Sequence, residues 1–108
     1  MILRIDTTQR DEVSVEIIDS KGKKTKLVER QKVGSQILLP LIVKILKKTG
    51  LKFSNLTAVE VNHGPGSFTG TRVGVAVANA LGFVLNLPIN GKKGKIVVPI
   101  YEKSKFDL

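Results

Sequence analysis

The chain has 108 residues and a mass of 11.8 kDa, the size of one domain with one core, and its 42% apolar and 25% charged residues exclude wholesale disorder. No cysteine and a single histidine exclude a disulfide scaffold, a thiolate zinc centre, a cysteine nucleophile and a His-rich metal site. The formal net charge of +9 rests mainly on lysine, with four arginines (Arg4, Arg10, Arg30, Arg72) among eighteen basic residues. The lysines gather in punctuating segments at 21–26, 44–48 and 92–95. Two readings stand for them: solvated loop and helix-end charge, or a surface that meets an anionic partner. No charged-then-apolar leader pattern opens the chain, so a reducing, cytoplasmic setting is expected.

Met1 to Ile5 is a short apolar run that stops at Asp6-Thr7-Thr8 and predicts a buried strand. Val13, Val15 and Ile17 alternate with Ser14, Glu16 and Ile18, the period of a half-buried strand. Asp19-Ser20-Lys21-Gly22 is turn chemistry, and Thr25 to Arg30 returns as a third strand. Gly34-Ser35 is the expected N-cap of a helix carrying Ile37, Leu38, Leu41, Ile42, Ile45 and Leu46, widened by Leu39 and Val43. Pro40 is expected near its first turn, and Lys44, Lys47 and Lys48 lie towards its C-terminal end, before Gly50. Leu56 to Val61 predicts a fourth strand.

A second helix is expected over 71–87, with eleven apolar residues in the fifteen from Val73 to Leu87 and no polar face. It falls short of the ~20 apolar residues of a membrane span. Burial on two sides, by its own sheet and by another protein, accounts for the pattern. Gly74, Ala78 and Gly82 recur every four residues and permit close backbone approach along one stripe. After Pro88, Asn90 to Lys95 reads as a basic turn, and Ile96 to Tyr101 as a last strand that Pro99 confines to an edge. The order β-β-β-α-β-α-β implies an α/β fold with a mixed sheet. Residues 1–91 form the main body, and 92–108 a basic turn, edge strand and tail of the same domain.

Glycines at 64, 66 and 70 before a helix would let backbone N–H groups converge on an anion, and would equally serve a tight strand-to-helix turn. The spacing is neither a Walker A loop nor GxGxxG. Ser67 reads as an N-cap, since no base or orienting acid accompanies it. Asp6 and Glu60 fall on neighbouring strands, the minimum for a Mg²⁺-dependent ribonuclease H-like nuclease, but only Asp11 and Asp107 remain as further carboxylates for it. His63 stands alone beside Gly64.

The segments Ile2-Leu3-Arg4-Ile5-Asp6-Thr7-Thr8, Ser35-Gln36-Ile37-Leu38-Leu39-Pro40-Leu41-Ile42 and Gly64-Pro65-Gly66-Ser67-Phe68-Thr69-Gly70-Thr71-Arg72-Val73-Gly74 resemble the TsaB (YeaZ) family in order and spacing. The resemblance implies one ribonuclease H-like lobe of the actin-like ATPase superfamily. It also implies a non-catalytic subunit in making threonylcarbamoyladenosine at position 37 of tRNAs. Such a subunit pairs with the catalytic homologue TsaD, and the ATPase TsaE joins them. Thr71 replaces the usual leucine, Gly34 stands where histidine is common, and the family's second lobe has no counterpart, although Val98-Pro99-Ile100-Tyr101 resembles its closing Pro-x-Tyr strand.

The resulting expectation is docking through both helices, by Leu38, Leu41, Ile42 and Ile45 on the first and Val75, Ala78, Asn79, Gly82 and Asn86 on the second. Asp6, Thr7, Gly64, Gly66, Ser67, Gly70 and Arg72 would form a loop for nucleotide or another anion. ATP or ADP is expected only at a shared interface, and tRNA contact only indirectly. A homodimer is expected for the isolated chain, with no metal and no membrane. The rival readings are the Asp6/Glu60 nuclease and a stand-alone nucleotide or anion binder.

Overall fold

The computed structural model describes residues 1–30 and 35–100. Three strands form a meander, β1 (Ile2–Asp6), β2 (Val13–Ile18) and β3 (Lys24–Glu29), followed by α1 (Ser35–Thr49), β4 (Ala58–Val61) and α2 (Phe68–Leu85). The sheet order is β3-β2-β1-β4, antiparallel at both meander pairings and parallel between β1 and β4. This is the expected mixed α/β lobe. Gly34 of the expected Gly34-Ser35 cap and everything from Tyr101, including Asp107, lie outside the described residues, and Ser35 is the first residue of α1.

Alternation along the strands sends Leu3, Ile5, Val13, Val15, Ile17, Val59 and Val61 to one face, where both helices cover them. α1 packs on β2 and β3, and α2 on β4 and β1. α1 presents Leu38, Leu41, Ile42, Ile45 and Leu46 to the sheet, each at most 5% exposed. Burying such a side chain contributes roughly 1.5–3 kcal/mol. Pro40 is the sixth residue of α1, one turn deeper than its sequence suggests. It is exposed, so the carbonyl that loses its N–H partner can turn to water.

The other face of the sheet is polar and unroofed by these helices. In register across it run Lys26, Glu16, Arg4 and Glu60, alternating in charge. The Arg4 guanidinium donates to Glu60 Oε1 through Nε at 3.0 Å and Nη2 at 2.9 Å, and to Glu16 Oε1 through Nη1 at 3.1 Å.

The last predicted strand is not formed over 96–100. A fifth strand begins beside β4, where Ile89 makes one parallel bridge to Val59, then turns back at once through an antiparallel bridge to Lys92. Beyond that point the β4 edge is occupied by a side chain. Val61 N–H donates to Asn90 Oδ1 at 2.8 Å and Val61 O accepts from Asn90 Nδ2 at 3.0 Å. The segment 96–100 is held by contacts of another kind: Asn79 bonds both the N–H and the carbonyl of Val97 at 2.9 Å, and Ile100 N donates to His63 O at 2.6 Å. Pairing with two loci on different elements replaces a ladder.

Candidate functional site

The glycine loop closes down on the end of β1. Asp6 Oδ1 accepts the Thr8 amide at 3.0 Å and the Thr8 hydroxyl at 2.7 Å, while Oδ2 accepts Asn62 Nδ2 at 3.2 Å. Burial pushes the Asp6 carboxyl towards its neutral form. The Thr8 hydroxyl and amide, then Asn62 and the charge of Lys26, outweigh that and hold it below the ordinary aspartate value. The buried Thr7 hydroxyl donates to Gly70 O at 2.6 Å, and Ser67 N donates to Thr8 O at 3.0 Å. Gly64 has φ +105°, and a Cβ there would collide with the Ile100 carbonyl. Gly66 is buried against Thr8 and Thr71.

Of the residues expected to form an anion loop, Thr7, Gly66 and Gly70 are therefore buried packing residues. Ser67 occupies the N-cap position of α2 with extended backbone, but its side chain makes no cap hydrogen bond. That corrects the capping expectation. Arg72 lies over the Phe68 ring at 5.2 Å and is exposed. Thr71 Oγ1 and His63 Nδ1 are buried without a hydrogen-bond partner among the described residues.

The two carboxylates of the nuclease reading do come to neighbouring strands, with their oxygens engaged locally. Asp6 and Glu60 share the open face of the sheet, but Glu60 is engaged by Arg4 and Asp6 by Thr8 and Asn62. Among the described residues no three His, Asp or Glu side chains gather in a metal-ligating group. A depression of about 510 Å³ on that face is lined by Arg4, Asp6, Glu60, Asn62, His63 and Asn90, among others, and so mixes both charges.

The expected docking residues are mostly interior. Leu38, Leu41, Ile42 and Ile45 are buried beneath α1, and Val75 and Ala78 beneath α2. Gly82 is buried too, and a Cβ on it would meet the Ile89 side chain. The glycine and alanine stripe therefore receives this chain's own residues. Asn79 is half-buried and committed to Val97. Asn86 alone of that set is exposed, as the left-handed C-cap of α2 at φ 56°.

The outward apolar positions are instead Leu39 and Val43 on α1, and Phe68, Ala76, Ala80, Phe83 and Val84 on α2, Phe68 lying at its first turn beneath Arg72. Phe83 is 89% and Val84 75% exposed, values that a helix end facing only water seldom carries together. Spacing of four along 39–43 and 76–80 was the available signal, hidden because both helices are apolar all round. By length and composition α2 would also suit a membrane span, but its Val75, Val77 and Ala78 belong to the sheet-facing core.

A family profile described as "TsaD: tRNA N6-adenosine threonylcarbamoyltransferase" matches residues 29–91. The tRNA threonylcarbamoyladenosine biosynthesis protein TsaB of Haemophilus influenzae is 37% identical over 82% of the chain and 37% of its own length. That of Buchnera aphidicola (subspecies Baizongia pistaciae) is 33% identical over 81% of the chain and 39% of its own length. YeaZ from Pseudomonas aeruginosa superposes with a TM-score of 0.76 and 30% identity, over 82% of this chain and 41% of the other. The chain belongs to the TsaB/YeaZ family. It spans about two-fifths of the length of these relatives. The profile match takes in both helices, β4 and the glycine loop. The segment from Lys92 to Ile100 that bonds Asn79 and His63 lies beyond it.

Proposed function

We propose that the chain is a non-catalytic partner subunit of a TsaD-type threonylcarbamoyltransferase in the biosynthesis of tRNA N6-threonylcarbamoyladenosine. It docks through the outward face of its two helices. The observation that carries this reading is the exposed apolar strip Leu39, Val43, Ala76, Ala80, Phe83 and Val84, on the side of the helices turned away from the buried core positions. Small residues at 76 and 80 let a second helix approach closely, and Phe83 supplies an aromatic anchor at one end. The family relationship supplies the pathway, and the engagement of Asp6, Glu16 and Glu60 in local bonds favours a structural role over chemistry of its own.

In this assembly ATP or ADP is contacted only where the Gly64–Gly70 loop meets the partner, and a TsaE-type ATPase joins through the pair. Without a partner, the same strip pairs two copies about a twofold axis. Co-expression with the TsaD of the same genome, followed by pull-down, is the test. Ala80→Arg and Phe83→Asp each put an unpaired charge into the interface and should abolish capture while the melting temperature stays at the wild-type value. Normal capture of both variants would refute docking through this face.

A further inference from the structure

We propose that the end of the molecule built from the β2–β3 turn and the last turn of α1 binds the phosphate backbone of nucleic acid. Lys21, Lys23 and Lys24 come from the turn and the start of β3 (Lys24 on the open-face side, in register with Ile18), Lys47 and Lys48 from the end of α1, and Lys52 from the chain just after it. All six are exposed. The two elements stand side by side, because Lys23 and Lys48 line one depression of about 330 Å³ with Met1, Ile17, Asp19, Thr25, Thr49 and Leu51.

Asp19 is the acid at this end, and it is occupied by the turn. Its Oδ1 accepts the backbone N–H of Lys21 at 2.9 Å and of Lys23 at 2.8 Å. The ion pairs of Arg4 with Glu16 and Glu60 involve none of these lysines, and all six side chains are exposed to water. Concentrating like charge in this way opposes folding through mutual repulsion, and a polyanion relieves it by releasing its own counterions.

The residue types select the kind of ligand. Lysine is a mobile point charge suited to phosphate, without the rigid fork that reads a base edge, and no aromatic residue lines the depression to stack a base. A lipid surface would call for apolar side chains beside the cations. None of the exposed large apolar residues lies in the β2–β3 turn or the last turn of α1. The site is at the opposite end of β1 from the glycine loop, since Met1 lines the depression while Thr8 holds Ser67. The proposal therefore goes beyond the docking role and does not rest on it.

The test is fluorescence anisotropy of the full chain with a short unstructured uridine RNA, and with thymidine DNA of the same length. A Kd on the order of 10⁻⁴–10⁻⁶ M near physiological salt is expected for both probes. Lys21→Gln/Lys23→Gln/Lys48→Gln should weaken binding roughly tenfold or more and flatten the slope of log K against log salt by about 2, from ~0.7 per lost contact. Lys92→Gln/Lys93→Gln/Lys95→Gln removes the same charge elsewhere and should change Kd less than about twofold, with both triples checked for wild-type melting.

Equal weakening by the two triples would show binding by net charge alone and overturn the site. So would no binding by the wild type, a tenfold preference for one probe, or tighter, Lys23/Lys48-dependent binding to phosphatidylserine vesicles. Capture by TsaD is measured separately, so either proposal can fail alone.

Discussion

Gly74 is where α2 rests on the end of β1, and adding one methyl group there tests the packing. A Cβ at position 74 would collide with Thr7 Oγ1 and lie 3.3 Å from both Thr7 Cβ and Cγ2. Thr7 is fully buried and β-branched, and its hydroxyl is bonded to Gly70 O, so it can neither rotate away freely nor keep its bond if it does. Gly74→Ala gains about 1 kcal/mol of helix propensity. Against that stand about 1–3 kcal/mol of overpacking and about 1 kcal/mol for the strained hydrogen bond. The net is a loss of about 1–3 kcal/mol. At Gly82 a Cβ would meet Cδ1 and Cγ1 of the buried Ile89 and lie 3.3 Å from the Leu87 carbonyl, but Ile89 has no side-chain hydrogen bond to lose, so Gly82→Ala should cost less than Gly74→Ala, about 0–2 kcal/mol. Urea denaturation of both variants separates the two cases, with the midpoint reporting stability at constant m. A Gly74→Ala protein as stable as Gly82→Ala would refute the claim that Thr7 is a rigid neighbour.

Asn79→Ala removes both hydrogen bonds to Val97 and should cost about 1–3 kcal/mol, with faster amide exchange at Val97 than at the strands. Unchanged protection at Val97 would mean that Asn79 does not hold the segment. The Asp6 carboxyl is held below the ordinary value of about 3.9. It therefore contributes stability that is complete above that value and lost as pH falls through the lowered one. Asp6→Asn should remove this part of the acid sensitivity, seen as a shallower fall in urea midpoint below about pH 4; an identical fall would assign it to other groups.

The four central strands and both helices are legible because alternation and apolar richness reflect burial on one face. Which side of each helix faces the sheet is not. Leu38 and Leu39 are chemically identical, yet one is 0% and the other 44% exposed, a difference set by the crossing of α1 over β2 and β3. The glycine stripe misled for a related reason: glycine signals a close neighbour without naming it, and at Gly82 the neighbour is Ile89. Ile96 to Ile100 has the composition of a strand, but its partners are the Asn79 side chain and the His63 carbonyl, which no local pattern reveals. The loop was readable as a tight turn. Its commitment to Thr7 and Thr8 follows from the parallel β1–β4 register, which brings Asn62 beside Ile5 and Asp6.

Asn90 has a consequence for how the protein survives in a crowded solution. An unpaired strand edge is a template on which another chain can build, and β4 would be such a template once the fifth strand stops at Ile89. The Asn90 amide supplies one donor and one acceptor to Val61, Pro88 and Asn90 backbones satisfy Val59, and Ile100 takes the His63 carbonyl. Three successive outward-facing residues of that edge are thus sealed with hardly any added strand. On the far side β3 exposes Lys24 and Lys26, whose charge repels a second copy approaching edge to edge. A fifth strand cut short to one residue need not leave the sheet open to fibrillar growth, because a single side-chain amide can act as its cap.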